Sequence, residues 1–370
     1  MSPVDLSPFV AAVREGDERL SRQAQKQKVF GWFCTYTPIE LVHAAGFLPV
    51  RIHGGTTQIE QANALVPNFI CPYMRTSLER ALRGEYKYLS GVIQGYTCDV
   101  ACGMMNIWEE NVKSGIFHTV PLPYNTTESA RSFYRETLTE LAEKLAVCGG
   151  KVDAGSLHRS LDLYRDIRNS LLRLHELRFQ NRLALSASEF YTVAEAGFSL
   201  PPEAYRAHLL GLTGALRDEK PPPTTGIPVM VSGSLVEELM IFDLIEMAGG
   251  RVAADDLCNG YRFCEPADGT GVDPMERLID RYMRRFPCPA RSIVGERVTR
   301  VKGLIERSGA AGVIFLFQKF CTPHLADYPA LAEELKKDGI PTLLVEMDET
   351  GSAEGQLKTR FEAFFEMIRG

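Results

Sequence analysis

The sequence predicts an α/β protein with two doubly wound domains of about four parallel strands each, joined by a helical connector. Two observations predict this architecture. Four short β-rich apolar runs before residue 128 alternate with helical patterns, and four more after residue 226 do the same. Such alternation implies βαβ units, in which helical crossovers return the chain to a parallel sheet. Between the two sets, residues 128–220 show helical spacing throughout. A length of 370 residues allows two or three domains with their own cores.

In chain order, residues 5–28 read as an amphipathic or surface helix. The first four strands are expected at VFGWFC (29–34), FLPVRI (47–52), YLSGVIQ (88–94) and FHTVPLP (117–123). PIELVHAAG (38–46) places proline early and glycine last, as a helix requires. YMRTSLERALRGE (73–85) has helical spacing and ends near Gly84. The connector ends at KPPPTTG (220–226), where prolines forbid helix and mark a boundary. The second strand set is IPVMVSG (227–233), RVAADD (251–256), AGVIFLFQ (311–318) and IPTLLVEMD (340–348), followed by a helix at 355–370. The expected divisions are therefore 1–127, 128–226 and 227–370.

Composition narrows the partners. Apolar residues make up 45% and charged residues 24%, an ordinary globular balance. The net charge of −6 argues against nucleic acid, which requires a basic surface. The N-terminal stretch is polar with charges of both signs, and no run of 18 apolar residues occurs. A soluble cytoplasmic protein with no membrane association is expected.

Nine cysteines in such a chain are not expected to form a disulfide framework. A free cysteine buries readily as a small apolar residue, so position must decide which ones matter. Ligands of open α/β sheets bind beyond the C-terminal ends of the strands. Cys34 closes the first strand, Cys98 follows the third, Cys258 follows RVAADD and Cys321 follows AGVIFLFQ. Cys71 stands in a loop ahead of a helix. Proline stiffens these loops, as in Cys71-Pro72, Cys288-Pro289, Cys321-Thr322-Pro323 and the Cys34–Pro38 segment. The close C-x-x-C pairs typical of structural zinc are absent. Widely separated single thiols suit an iron–sulfur cluster better, and three of them would leave one iron open.

Several segments resemble one family, the 2-hydroxyacyl-CoA dehydratases and benzoyl-CoA reductases, in their cluster-bearing D-component. They are FCTYTPIELVHAAGFLPVRI (33–52), CPYMRTSLERALRGEYKYLSGVI (71–93), TCDVACGMMNIW (97–108), ADDLCNGYRF (254–263), KFCTPH (319–324) and GQLKTRFEAFFEMI (355–368). The resemblance implies two Rossmann-like domains around an oxygen-sensitive 4Fe–4S cluster, and a similar second subunit. It also implies a separate ATP-hydrolysing iron–sulfur activator that injects one electron into an acyl-CoA thioester. Loss of water from a 2-hydroxyacyl-CoA then proceeds through a ketyl radical; in the reductase branch an aromatic ring is reduced. The chain has no G-x-x-x-x-G-K-[ST] loop of its own, consistent with ATP acting on another protein.

Carried over by position, Cys34, Cys98 and Cys321 are the implied cluster ligands. Cys71, Cys258 and Cys288 form a second tier, which one branch uses for a larger 8Fe–9S double-cubane cluster, there in a homodimer. Cys102, Cys148 and Cys264 receive no role. Three departures stand beside the implied site: Pro38-Ile39-Glu40 in place of P-E-E, Cys321-Thr322-Pro323 in place of C-D-P, and Glu346-Met347-Asp348-Glu349 only loosely matching E-T-D-Y. The expected function is thus the iron–sulfur subunit of a dehydratase. The alternatives are a benzoyl-CoA reductase-type subunit, a double-cubane reductase, or a partner subunit that only conducts electrons.

Other residues are weighed against plain structural roles. Glu40, at the start of a helix, is a candidate general base, although the helix dipole alone would favour a carboxylate there. Ser232-Gly233-Ser234, between a strand and an expected helix, offers backbone N–H groups for a CoA phosphate, or a simple cap. His324, three residues after Cys321, can reach a cluster sulfur. His43 and His53 read as packing or solvated polar groups, while Arg75 and Arg360, which stand in the resembling segments, could each pair with a phosphate or form a surface salt bridge. Asp99 is expected to fix the Cys98 turn by accepting a backbone N–H.

Overall fold

A computed structural model describes residues 4–112, 115–217, 225–291, 294–348 and 354–370. All eight expected strands form. They are β1 (Val29–Trp32), β2 (Leu48–Arg51), β3 (Leu89–Gly95), β4 (Ile116–Val120), β5 (Ile227–Gly233), β6 (Gly250–Asp255), β7 (Gly312–Gln318) and β8 (Thr342–Met347). They make two four-stranded sheets with the same order, β2-β1-β3-β4 and β6-β5-β7-β8. Every pairing is parallel. Helices cover both faces, so β1, β2 and most of β3, β5 and β7 are buried along their length.

The helical boundaries show what tertiary packing adds. Residues 5–28 form two helices, Ser7–Arg14 and Gly16–Gln23, rather than one. Phe9 and Ala12 of the first pack with Tyr205 and Leu209, while Leu20 of the second joins Val29 and Leu48. The break at Glu15 therefore lets one segment serve two cores. In the connector, helices run Glu128–Val147, Ala154–Phe179, Ala187–Ala196 and Pro202–Ala215. Of the expected proline-rich boundary at 220–226, residues 220–224 lie outside the described residues.

The 26-residue Ala154–Phe179 helix, roughly 39 Å long at 1.5 Å per residue, touches three cores in turn. Leu157 and Leu161 pack with the N-terminal sheet, Leu163 through Leu177 with the C-terminal sheet, and Phe179 with the far face of that sheet. The Pro274–Met283 helix crosses over as well: Leu278, Ile279 and Tyr282 pack with Phe30, Tyr36 and Leu41. Leu235, beyond β5, joins the core around Leu48 and Met74. The Gly54 and Gly55 N–H groups beyond β2 donate to the Glu237 carboxylate beyond β5 at 3.0–3.1 Å. These ties bring the C-terminal ends of the two sheets together. Among the described residues no helix is long and apolar enough to cross a membrane.

The β5–β7 pairing depends on Gly233. A Cβ there would lie 2.0 Å from the Leu316 carbonyl oxygen. Gly233→Ala is therefore expected to lower stability by about 3 kcal/mol or more, through backbone displacement in the buried sheet. Gly211→Ala, on the exposed side of the Pro202–Ala215 helix with no atom within 4 Å of the added Cβ, should stabilise by about 0.5–1 kcal/mol. Thermal unfolding of both variants checks the contrast; equal effects would refute it.

Candidate metal centre

In each sheet the chain reverses winding direction at one point, between β1 and β3 and between β5 and β7. Such switch points open crevices at the C-terminal strand ends. Cys34 lies two residues past β1, Cys98 three past β3, Cys258 three past β6 and Cys321 three past β7. Cys71, Cys98 and Cys321 each precede a helix at its N-cap, before Pro72–Leu82, Asp99–Asn111 and Thr322–Lys337. Three helix N-termini thus offer positive ends to three sulfurs, which favours thiolate there. Cys98 caps its helix through the sulfur itself: Sγ accepts the Ala101 N–H at 3.4 Å. Asp99 instead receives the Tyr96 hydroxyl at 3.4 Å, so the expected backbone bond to Asp99 is replaced by the bond to the thiol. Phe320 holds φ at +61°, a left-handed conformation rare for a bulky residue, and it delivers the chain into Cys321.

Packing and charge join these thiols. Cys71, Cys98 and Cys258 pack against one core, although Cys258 comes from the C-terminal sheet. Cys34 and Cys288 share another. Burial, and then the Cys288 thiol, raise the Cys34 pKa. Burial pushes Cys71 up to about 11. Burial lifts Cys98 to about 12, with Cys71 and Cys288 adding to the shift. Cys321 is driven well above its ordinary value by burial, then by Cys71, Cys98 and Cys258. Cys258 rises to about 11, through burial and then Cys288 and Cys34, against the pull of Arg262. Each of the six thiols of the two tiers therefore acts on another or is acted on by one.

Cys102, assigned no role from sequence, also enters this field. Burial raises its thiol to about 12, followed by Cys98 and Cys34. Its i+4 spacing from Cys98 on one helix was the available signal. Cys148 caps the Glu128–Val147 helix, and buried Cys264 donates to the Gly260 carbonyl at 3.5 Å.

Cations compensate the thiols. Arg262 is wholly buried. Its Nη1 lies 3.3 Å from Cys258 Sγ and 4.0 Å from Cys288 Sγ, while Nη2 donates to the Gly233 carbonyl at 3.1 Å and Asp256 at 3.3 Å. Asp256 is also held by Arg297 at 2.6 Å, and Arg297 by Asp327 at 2.6 Å. His324 Nδ1 lies 3.2 Å from Cys321 Sγ, as its position in the sequence suggested. Burial, then the Arg262 and Arg297 charges, keep the imidazole neutral, against the opposing effect of a backbone hydrogen bond with Gly233.

Among the described residues no group of three or more His, Cys, Asp or Glu side chains is arranged to hold a metal ion. A single ion needs all donors near one point, at about 2.3 Å for zinc and sulfur. A cubane distributes its thiolates over different irons, so its ligands stand farther apart. The soft, thiol-rich donor set and the neighbouring guanidinium suit a cluster better than a lone ion.

A family model described as "2-hydroxyglutaryl-CoA dehydratase, D-component" matches residues 34–368. The chain belongs to this D-component family. It is 27% identical to the (R)-phenyllactyl-CoA dehydratase beta subunit of Clostridium sporogenes, covering 92% of each chain. It is 25% identical to one of the subunits of benzoyl-CoA reductase from Thauera aromatica, over 93% of this chain and 91% of that one. The beta subunit of (R)-2-hydroxyglutaryl-CoA dehydratase from Acidaminococcus fermentans is 25% identical, over 94% of both. The family match takes in all the implied ligands, Cys34 through Cys321, and every strand except β1.

Within this D-component chain, the remaining candidates have specific surroundings. Glu40 is wholly buried, paired with Arg168 and accepting the Tyr282 hydroxyl at 2.7 Å. Burial opposes its charge, but Arg168, Arg281 and Tyr282 outweigh it and hold the pKa below the ordinary value. This environment gives an ion-pair anchor between the Ile39–Ala44 and Ala154–Phe179 helices, rather than the raised basicity a general base needs.

The free N–H groups expected at Ser232-Gly233-Ser234 are occupied. Gly233 N–H donates to Asp256 at 3.2 Å, Ser234 N–H to the Leu316 carbonyl at 3.2 Å, and no helix starts until Met240. The Ser232 hydroxyl accepts from Arg297 at 3.1 Å. The segment is thus a buried sheet junction rather than a phosphate cradle. His43 bonds Ser160 and Glu203, each at 3.0 Å, and His53 faces Asp17 and Arg80. Arg75 donates to Asn63 and Arg360 to the Leu344 carbonyl. Asp348 pairs with Lys319 at 2.8 Å, while Glu349 lies outside the described residues.

The Glu40–Arg168 pair yields a pH-dependent prediction. Because the folded pKa is depressed, the stabilisation is complete above the unfolded value of 4.5 and fades as pH falls through the folded pKa. Glu40→Gln should cost about 3–5 kcal/mol at pH 7 by leaving Arg168 buried without its partner. The gap between variant and wild type should narrow below about pH 4.5. Denaturant unfolding across pH measures it; a gap that widens in acid would refute the pairing as the cause.

Proposed function

We propose that this chain is the iron–sulfur subunit of a 2-hydroxyacyl-CoA dehydratase-like radical enzyme. A 4Fe–4S cluster would be held by Cys34, Cys98 and Cys321, one ligand set drawn from both sheets. The observation that carries this reading is the place of these thiols, two or three residues past the C-terminal ends of β1, β3 and β7, inside the family-matched segment. When bound, the cluster supplies single electrons at a potential set by its surroundings. The chain's own residues shape those surroundings. Arg262 compensates negative charge on the thiol side, His324 offers an N–H or a lone pair to Cys321, and three helix N-termini favour thiolate. The sequence has no G-x-x-x-x-G-K-[ST] loop, so ATP would act on a separate activator, with an acyl-CoA as substrate and a similar second subunit as partner. The relatives are themselves named as subunits of larger enzymes, which supports such an assembly.

A second reading rests on the second-tier thiols: Cys71 acts on Cys98 and Cys321, Cys288 on Cys34, Cys98 and Cys258, and Cys258 on Cys321, so an 8Fe–9S double cubane has candidate ligands too. Iron and sulfide counting on anaerobically purified protein separates the two, with about four irons per chain expected for one cubane and about eight for the larger cluster. Zinc with neither iron nor sulfide, after anaerobic reconstitution, would overturn both.

Cys98→Ser should lose the iron while keeping the fold, because oxygen is a poorer ligand of similar size. Asp99→Asn should keep it. Cys148→Ser is the suitable control, since Cys102 lies in the field of Cys98 and Cys34. Iron analysis with far-ultraviolet circular dichroism reads all three. Full iron in Cys98→Ser, or equal loss in the control, would refute the assignment.

A further inference from the structure

A separate cleft, with about 610 Å³ of empty space, lies between the segment after β4 and the end of the Pro274–Met283 helix. The space open to the centres of water-sized spheres is about 120 Å³, against the roughly 10–15 Å³ that a single water needs, which is room for an oxyanion group. Four tyrosines line it, Tyr36, Tyr124, Tyr134 and Tyr282, together with Arg285 and Arg291. None of these residues was singled out by the sequence reading.

The polar groups of this cleft are under-used. Tyr134 is completely buried, yet its hydroxyl has no hydrogen-bond partner among the described residues. Arg285 is 5% exposed; Nη2 donates to the Arg262 carbonyl at 2.7 Å, while Nε has no partner among the described residues. Arg291 donates from Nη2 to the Pro123 carbonyl, and its buried Nη1 has none among them either. The Tyr134 phenol lies within the field of both guanidinium groups, so the three share one region. Aromatic faces fix the cations: Arg285 stands 4.8 Å from the Tyr36 ring centroid and 5.5 Å from that of Tyr282, and Arg291 stands 4.0 Å from that of Tyr124. One carboxylate, Glu296, lines the cleft against the two guanidinium groups.

Buried donors without acceptors are costly, and native proteins rarely keep several in one place. Two guanidinium groups and a phenol supply donors that match an oxyanion, while the tyrosine rings suit a flat or apolar body attached to it. We propose that this cleft binds the oxyanion of a small organic ligand, a carboxylate or a phosphate, through Tyr134, Arg285 and Arg291. The inference stands on the cleft alone and holds whatever cluster the thiols carry.

Isothermal titration of the anaerobically purified full chain, with glutarate, phenylacetate and adenosine 3′,5′-bisphosphate as probes, tests it. Saturable binding of either carboxylate identifies an acyl-type ligand, and binding of the bisphosphate alone identifies a nucleotide phosphate. Tyr134→Phe removes one unpartnered hydroxyl and should leave the melting temperature unchanged or slightly higher, while weakening the bound probe roughly tenfold. Arg291→Gln should weaken it at least as much. No binding of any probe, or affinity equal to wild type in either variant, would overturn the proposal. Iron content, measured on the same samples, keeps this outcome separate from that of the cluster assignment.

Discussion

The buried guanidinium of Arg262 is the constraint around which the candidate centre is arranged. A charge wholly removed from water is tolerated only with partners on several sides. Arg262 has them: the Asp256 carboxylate, the Gly233 carbonyl and the sulfurs of Cys258 and Cys288. Asp256 is in turn tied to Arg297, and Arg297 to Asp327. One network therefore connects the end of β5, the loop after β6, the loop carrying Cys288 and the helix after Cys321. Moving any of these would leave a buried charge exposed to apolar surroundings.

The two sheets meet because elements of one half pack into the other. Their shared strand order gives each a switch point between its two central strands. The Ala154–Phe179 helix spans both cores, and the Pro274–Met283 helix returns from the second half to cover the first. Glu40 and Arg168 add a buried ion pair to this seam, with Tyr282 closing it from the returning helix. Such a pair contributes less through net attraction than through the cost of any arrangement that separates it. The seam holds two different chemistries: soft thiols with a compensating cation on one side, and hard N–H and O–H donors with aromatic walls in the cleft beyond Tyr36.

Much of this was legible in the sequence. Eight strands formed within a few residues of their expected limits, because parallel strands buried on both faces read as apolar runs between helical spacings. Cys34, Cys98, Cys258 and Cys321 were recognisable because a strand's end fixes where its next residues emerge. The split of residues 5–28 was not legible, since it depends on two cores that one amphipathic stripe cannot distinguish. Nor was the role of Glu40, whose partner lies 128 residues away. At 232–234, strand and glycine were recognised, but the acceptors of their N–H groups come from the loop after β6 and from β7.

The sequence alone determined the α/β alternation, the loops in which the thiols stand and the family to which the chain belongs, because periodicity, strand-end position and motif order are local properties of the chain. Tertiary structure decided which residues share a field: Arg262 between two cysteines, Cys102 beside Cys98, and Tyr134 with Arg285 and Arg291. Those groupings join positions far apart in the chain, and the burial that sets their charge and bonding exists only once the sheets and the helices between them have packed.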